Sequence, residues 1–539
     1  MKKRKLIFPQ SQWEAVTSHL SCQSDQEHAA FAYAFRCDST DRSKLLVNEI
    51  QPLSSEYLDA QTSGHVIPSP HAIRHAVEKA VESSRALLLL HTHLWQGENH
   101  FSATDIATIE QNFLWGWENF NLLQAAVVIN RTEGAVDALV WSPTEHEVVP
   151  IDELHIAGYP YRIYIPASAE KRLRILDALA EQQALSRPPT ATLLAMADRE
   201  TRAFGLPLQR TLSQLRVGIV GLSGTGSQVR EALARWGVED WVLCDPQNLG
   251  LENLGRVIGA TYEDALNQRP KVAVAKREIQ DIRPWAKVEA LQCSVVAPEA
   301  IQQLKSVDIL FGCTDNHSSR LPLNKLSRQY YLPYIDVGTG IFVTKEGTTH
   351  KITNMGGQVH IMLPDAPCLD CRGALDRTAA ADELMDEDER AERRRRGYVI
   401  GDEIIQPQVV QLNGEIVNHA LHECLNLFTA FKEYQPYLVY DALKPGFLVI
   451  AVKSAPWCLD CSVAGLGDAE PVWSSTPPSS SQDTPATQPL HKVSATIQSP
   501  VPALTAGSVT AGAEHNIDVS SQETVKHRFW RFRQGGNSK

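Results

Sequence analysis

Short apolar runs, each closed by a turn signal, recur along this chain and predict its elements. RVGIV (216–220) leads into GLSGTGSQVREALARWG, where glycines give way to apolar residues at helical spacing, so a buried strand, a tight turn and a helix are expected in that order. WVLCDP (241–246) reads as a second strand, and ALLLLHTHLW (86–95) as a strand with histidines at its end. GYPYRIYIPAS (158–168) is strand-like, and VNHALHECLNLF (417–428) has the period of a buried amphipathic helix. Strands alternating with helices predict an α/β chain. EKRLRILDALAEQQALS (170–186) is an amphipathic connector helix stopped by RPPTA. Beyond Cys461 the pattern ends, and stretches such as SSTPPSSSQDTPATQPL are too poor in apolar residues to fold, so residues 466–539 are expected to form a disordered tail.

Composition narrows the class. A chain of 539 residues has room for two or three domains, and a formal net charge of −12 argues against a general nucleic-acid binder. The basic start MKKRKLIFPQSQW lacks the apolar centre of a signal peptide, and no run approaches membrane-spanning length, so a cytoplasmic protein without membrane contact is expected. Ten cysteines in so long a chain do not suggest a disulfide scaffold, and four of them form two CxxC pairs.

The chemistry is densest between Gly221 and Asp315. Gly221, Gly224 and Gly226 give a tight turn whose backbone amides suit phosphate, and Asp245 follows about twenty residues on, where a carboxylate can accept from ribose hydroxyls. A dinucleotide-binding dehydrogenase would read the same way up to that point. Asn253 and Arg256 in LENLGR, Lys271 in RPKVAVAK and Asp315 in FGCTDN suit a polyphosphate with magnesium instead. Together these residues resemble the ThiF-like adenylyltransferases, a family that includes ubiquitin-activating enzymes and the activators of sulfur-carrier proteins. DRETRAFGLPLQRTLSQLRVGIVG extends the resemblance upstream, so residues 198–465 are expected to form a doubly wound, Rossmann-like adenylating domain. The resemblance implies ATP and magnesium as ligands. It also implies that Arg256 and Lys271 hold the triphosphate, that Asp315 holds magnesium, and that Arg202 reaches into the other subunit's site of a homodimer.

Cys368 and Cys371 in APCLDCRG, with Cys458 and Cys461 in PWCLDCSV, are two knuckles that can enclose one structural zinc. A redox CxxC is the alternative. The family places zinc beside the loop crossing its active site, and here that loop carries ADELMDEDERAERRRRG, which reads as a solvated helix or lid. Between Cys371 and Cys424 there is no cysteine to hold a thioester. Cys424 reads as packing, and Cys313, beside Asp315, as a small residue tolerated at a strand end.

The first part of the chain offers a second chemistry. His91 and His93 alternate so that both imidazoles emerge on one face, and Asp105 follows at the start of the next helix, a set suited to a catalytic zinc with one open position. Glu27 in DQEHAAFAYAF is the candidate general base, with Glu49 and Glu56 in reserve; His100 reads as a surface loop residue. This set resembles the JAMM (JAB) metalloproteases, which implies that Ser102 helps stabilise the oxyanion and that Glu27 takes a proton from water. Leu94 stands where that pattern prefers proline, and one extra residue separates His93 from Ser102. Residues 1–165 are therefore expected to form an α/β metalloprotease-like domain, with 166–197 as connector.

The two resemblances together imply a bifunctional enzyme that trims or deconjugates a ubiquitin-like carrier and adenylates its C-terminal glycine, handing it to a separate conjugating enzyme. Sulfur-carrier activation and a catalytically weak scaffold are the alternatives. The basic-aromatic VKHRFWRFRQGGNSK (525–539) is either a docking segment or a charged end; its Gly535-Gly536 resembles a carrier's terminus, but no β-grasp domain precedes it.

Overall fold

Nine strands between Lys3 and Tyr164 hydrogen-bond into one sheet, with Lys3–Pro9 and Arg42–Pro52 near its middle, followed by Ala29–Asp38, Ala86–His93 and Gln124–Asn130. The computed structural model describes residues 2–21, 25–94, 100–131, 135–170, 188, 190–346, 349–385, 407–444 and 446–472. Nearly all of the expected connector helix at 170–186, the acid-then-base run beyond Met385 and the tail from Trp473 lie outside the described residues.

The second sheet has eight strands. Lys287–Leu291, Asp240–Cys244, Arg216–Val220, Ile309–Gly312 and Tyr334–Glu346 run parallel in that spatial order. Thr349–Met362, Tyr437–Asp441 and Phe447–Val449 then add antiparallel strands to one edge. Arg216–Val220 is buried at all five positions, which accounts for its unbroken apolar run, and the helix Gly224–Trp236 follows it directly. Helix Val410–Thr429 packs Cys424, Leu421 and Val417 into the same core.

The two sheets meet end to end at a buried seam. Ile7, Cys37, Leu46 and Tyr161 of the first share a core cluster with Leu215, Val217 and Val307 of the second. Lys5 Nζ lies 2.5 Å from Asp308 Oδ1 and 2.8 Å from Glu153 Oε2, and Arg42 Nη2 lies 2.6 Å from Asp240 Oδ2. Burial alone would raise the Asp308 carboxyl, but Lys5 and Arg42 hold it well below the usual carboxylate range. Asp308 Oδ2 also accepts from the backbone N–H of Arg216, so the pair anchors the start of both central strands of the second sheet.

One boundary differs from the expectation. Residues 466–472, assigned by composition to a disordered tail, are anchored to the fold: Val472 is buried and Gln329 Nε2 donates to the Gly467 carbonyl at 2.6 Å. The polar composition starts only beyond them, and seven residues with two apolar anchors, Leu466 and Val472, follow the fold to its edge.

Candidate functional site

Strand Ala86–His93 lies between Ala29–Asp38 and Gln124–Asn130, with His91 opposite Ala29. The pairing continues beyond that point, since the His28 N–H donates to Thr92 Oγ1 and the Thr92 N–H to the His28 carbonyl. Glu27 precedes His28 directly and so lies at the end of the sheet that carries His91 and His93. It is 3% exposed, and Gln61 Nε2 donates to its carbonyl at 3.0 Å. The reserve candidates sit elsewhere. Glu49 is paired with Lys79 and Arg85, and Glu56 lies on an exposed turn. His100 is largely exposed.

Asp105 arrives from helix Ala103–Phe120, whose N-cap is Ser102. The Asp105 N–H donates to Ser102 Oγ (3.1 Å), while the Ser102 N–H and hydroxyl both donate to Asp105 Oδ2 (2.8 and 2.7 Å), a reciprocal cap that fixes the carboxylate. His91 Nε2 and His93 Nε2 are 3.3 Å apart, and Asp105 oxygens lie 3.8 and 3.3 Å from them. Burial would raise the Asp105 carboxyl, but hydrogen bonds from the two histidines hold it far below the usual range. A tetrahedron with bonds of ~2.1 Å has edges of roughly 3.4 Å, so these three donors fit zinc with one corner left over.

In the second sheet, Gly221 has φ +86°, and a Cβ there would come 2.5 Å from the Cys313 carbonyl oxygen; one at Gly226 would meet the Gly221 oxygen at 1.9 Å. Only glycine lets the turn pack this tightly. Asp245 braces it, with Oδ2 accepting from the Leu222 N–H and Oδ1 from the Gln247 N–H, so its carboxylate orients the loop. Lys271 Nζ donates to Gln247 Oε1 at 2.7 Å; burial lowers its pKa, and the charges of Asp245, Arg256 and Asp315 all act on it. Arg256 Nη1 donates to the Glu252 carbonyl, and Asn253 Oδ1 accepts from the Gly250 N–H. Asp315 follows strand Ile309–Gly312, tied to the glycine turn by the Cys313 N–H donating to the Val220 carbonyl.

Two residues that sequence reasoning missed line the same place. Arg230 is 1% exposed; Nη2 donates to the Ile258 carbonyl, while Nε and Nη1 meet no partner among the described residues, and it shares a small cleft with Leu222, Ser227 and Lys271. Its place one helical turn after Gly226 was the available signal. Asn413, fully buried, accepts from Thr339 Oγ1 and brings its amide nitrogen beside Gly224. Arg202 stands apart from this cleft, exposed on helix Asp198–Phe204 and paired with Asp198.

The four knuckle cysteines converge, with Sγ–Sγ distances of 3.5 Å for Cys368 and Cys458 and 3.7 Å for Cys371 and Cys461. Zinc–sulfur bonds of ~2.3 Å give edges of roughly 3.8 Å, so four sulfurs at this spacing fit one closed zinc site. Burial pushes Cys313 and Cys424 up to about 12, which leaves either a poor nucleophile near neutral pH.

The ThiF family model matches residues 197–535. Among curated proteins, the chain is 24% identical to ubiquitin-like modifier-activating enzyme 5 of Gallus gallus over 257 residues, which is 45% of this chain and 58% of that protein. It is 29% identical to the sulfur carrier protein ThiS adenylyltransferase of Escherichia coli K12 over 156 residues, 29% of this chain and 56% of that one. The chain thus spans little more than half the length of these relatives. A crystal structure of E. coli MccB with ATP aligns at a TM-score of 0.39 and 16% identity, covering 50% of this chain and 74% of that one. No helix among the described residues is long and apolar enough to cross a membrane.

Proposed function

Because the chain belongs to the ThiF family, we propose that it adenylates the C-terminal carboxylate of a ubiquitin-like protein and that its N-terminal sheet carries a zinc peptidase acting on the same carrier. Support for the first activity comes from Lys271, which shares a cleft with Leu222 of the glycine turn and on which the charges of Arg256 and Asp315 act. The carrier's carboxylate attacks the α-phosphorus of ATP, the α–β anhydride bond breaks, and Lys271 and Arg256 neutralise the charge that gathers on the departing pyrophosphate. Asp315 is the carboxylate assigned to magnesium in this reading. No side-chain nucleophile is needed, and the burial of Cys313 and Cys424 fits transfer to a thiolate on a separate conjugating enzyme. By the same reading the enzyme is a homodimer, with the exposed Arg202 serving the partner's cleft.

For the second activity, zinc held by His91, His93 and Asp105 would lower the pKa of a water toward ~7. Glu27, at the same end of the sheet, takes the proton and returns it to the leaving amine, and Ser102 holds Asp105 in place. The similarity to the E. coli ThiS adenylyltransferase supports a second reading, activation of a sulfur carrier, in which the acceptor is a sulfur donor.

Pyrophosphate exchange into ATP tests the first activity. A β-grasp carrier with a free C-terminal glycine should stimulate exchange, and Asp315→Ala or Arg256→Ala should reduce it to background. Full exchange in Asp315→Ala would refute the assignment.

A further inference from the structure

Two helices begin side by side at the glycine turn. Gly224–Trp236 starts on the turn itself, and the start of Val410–Thr429 lies against it: Gln228 Nε2 donates to the Val410 carbonyl at 3.2 Å, and a Cβ on Gly414 would come 2.9 Å from Gln228 Oε1. The first turn of a helix leaves amide N–H groups without partners inside the helix, and that end carries about half a positive charge. A serine, aspartate or asparagine at the N-cap usually accepts from them. Here Val409 stands at one N-cap and has no side-chain acceptor, while Ser223 stands at the other without a side-chain cap hydrogen bond. Two positive ends therefore share one place, and neither N-cap side chain answers them.

Asn413 brings a donor to the same spot. It lies in the first turn of Val410–Thr429 and is fully buried, and its Oδ1 accepts from Thr339 Oγ1 at 2.9 Å, which leaves Nδ2 to face Gly224. A Cβ on Gly224 would stand 2.2 Å from that nitrogen, so only glycine admits the amide. Asn413 Nδ2 meets no hydrogen-bond partner among the described residues. A buried donor left unpaired is costly, and helix starts present N–H groups rather than acceptors, so the group that completes this place has to bring oxygens and negative charge.

We propose that Asn413 and the start of Val410–Thr429 form, with the glycine turn, a phosphate-binding subsite in which Asn413 Nδ2 donates to an oxygen of ATP's phosphate chain; the proposal rests on the adenylating function read above. Asn413 is then a binding residue that no motif announces, brought to the turn by the packing of the two helices. A carrier's terminal carboxylate is an oxyanion too, and the test separates the two.

Asn413→Ala removes the donor, whereas Asn413→Asp keeps the shape and the acceptor for Thr339 but sets a negative charge where the phosphate sits. In calorimetric titrations of the full chain with ATP and magnesium, without carrier, Asn413→Ala should bind about 10- to 100-fold more weakly, the span of one hydrogen bond to a charged group, and Asn413→Asp more weakly still. Without ATP, Asn413→Asp should melt no lower than Asn413→Ala, because a carboxylate between two helix starts is itself favoured. A residue that only tied its helix to Thr339 would lower the melting temperature and leave ATP affinity untouched, and native ATP affinity in both variants overturns the subsite. Native ATP affinity with a raised carrier concentration needed for pyrophosphate exchange gives the donor to the carrier's carboxylate and equally overturns the phosphate assignment. If the unsubstituted chain binds no ATP, the adenylating function itself falls, and the subsite with it.

Discussion

His91, His93 and Asp105 come together from a strand end and a helix start and present three donors, whereas Cys368, Cys371, Cys458 and Cys461 come from two knuckles ninety residues apart and present four sulfurs. Both clusters have the spacing of a tetrahedral ion, yet they differ in what is left after the ligands are counted. The first leaves one corner, and the base proposed for it, Glu27, is buried. The second leaves no corner, and Asn324, which donates to the neighbouring Asp460, also accepts from the Leu369 N–H inside the first knuckle, so the cysteines are tied into the core. In the proposed reading, donor number separates a centre that performs chemistry from one that holds the chain together.

That contrast is broken most forcefully by removing one ligand from each. Cys458→Ser should abolish one zinc equivalent by elemental analysis and lower the melting temperature by more than about 10 °C, because a closed site's binding energy is largely folding energy, ~10–16 kcal/mol in small zinc peptides. His91→Ala should remove the other zinc while melting shifts by only a few degrees. Equal thermal effects would erase the distinction.

Next in size is the base. Glu27→Gln keeps the shape and removes the proton acceptor, so carrier cleavage should fall by about 10²–10⁴ with zinc content unchanged. A normal rate in Glu27→Gln and a lost rate in Glu49→Gln would move the base to the residue that the structure pairs with Lys79 and Arg85.

The seam is neither kind of centre, and it should show as stability alone. Lys5→Met leaves Asp308 buried with Arg42 as its remaining cation and should cost about 3–5 kcal/mol, whereas Lys5→Met with Asp308→Asn, which keeps an acceptor for the Arg216 N–H, should recover much of that. Asp308 also sets an acid limb. Its folded pKa is depressed, so its contribution is present above the unfolded value of about 3.9 and is lost as pH falls through the lower folded value. Melting curves below pH 4 should be less steeply pH-dependent in Asp308→Asn.

What could be read from sequence followed the range of the interactions. The glycine turn, the knuckles and the HxH strand end are each set within a few residues, and the structure brings their members together. The reach from Glu27 to the HxH strand end could be read only as a distance along the chain, because it depends on the pairing of Ala29–Asp38 with Ala86–His93, which sets Ala29 opposite His91. The seam was invisible, since Lys5 and Asp308 are 303 residues apart and neither belongs to a motif. Asp245 was legible as a carboxylate after a strand, but its hold on the Leu222 and Gln247 amides depends on a turn whose shape only three dimensions supply. The tail was placed seven residues early because composition reports the average of a window, and Val472 is a single buried residue at its edge.

The smallest effect is the most discriminating for the proposed peptidase centre. Ser102, expected to help stabilise an oxyanion, also caps helix Ala103–Phe120 and donates to Asp105. Ser102→Ala removes the cap and one of the hydrogen bonds on the ligand, while the Ser102 N–H still donates to Asp105. The cap is worth about 1 kcal/mol, so melting should fall by only a few degrees. The loosened carboxylate should weaken zinc by about 10-fold or more. Ser102→Thr restores both the cap and the donor and should recover zinc affinity. If Ser102 acted only on the oxyanion, Ser102→Ala would lower the cleavage rate at saturating zinc while zinc affinity stayed at its native value, and a competition titration against a chelator reads that difference directly.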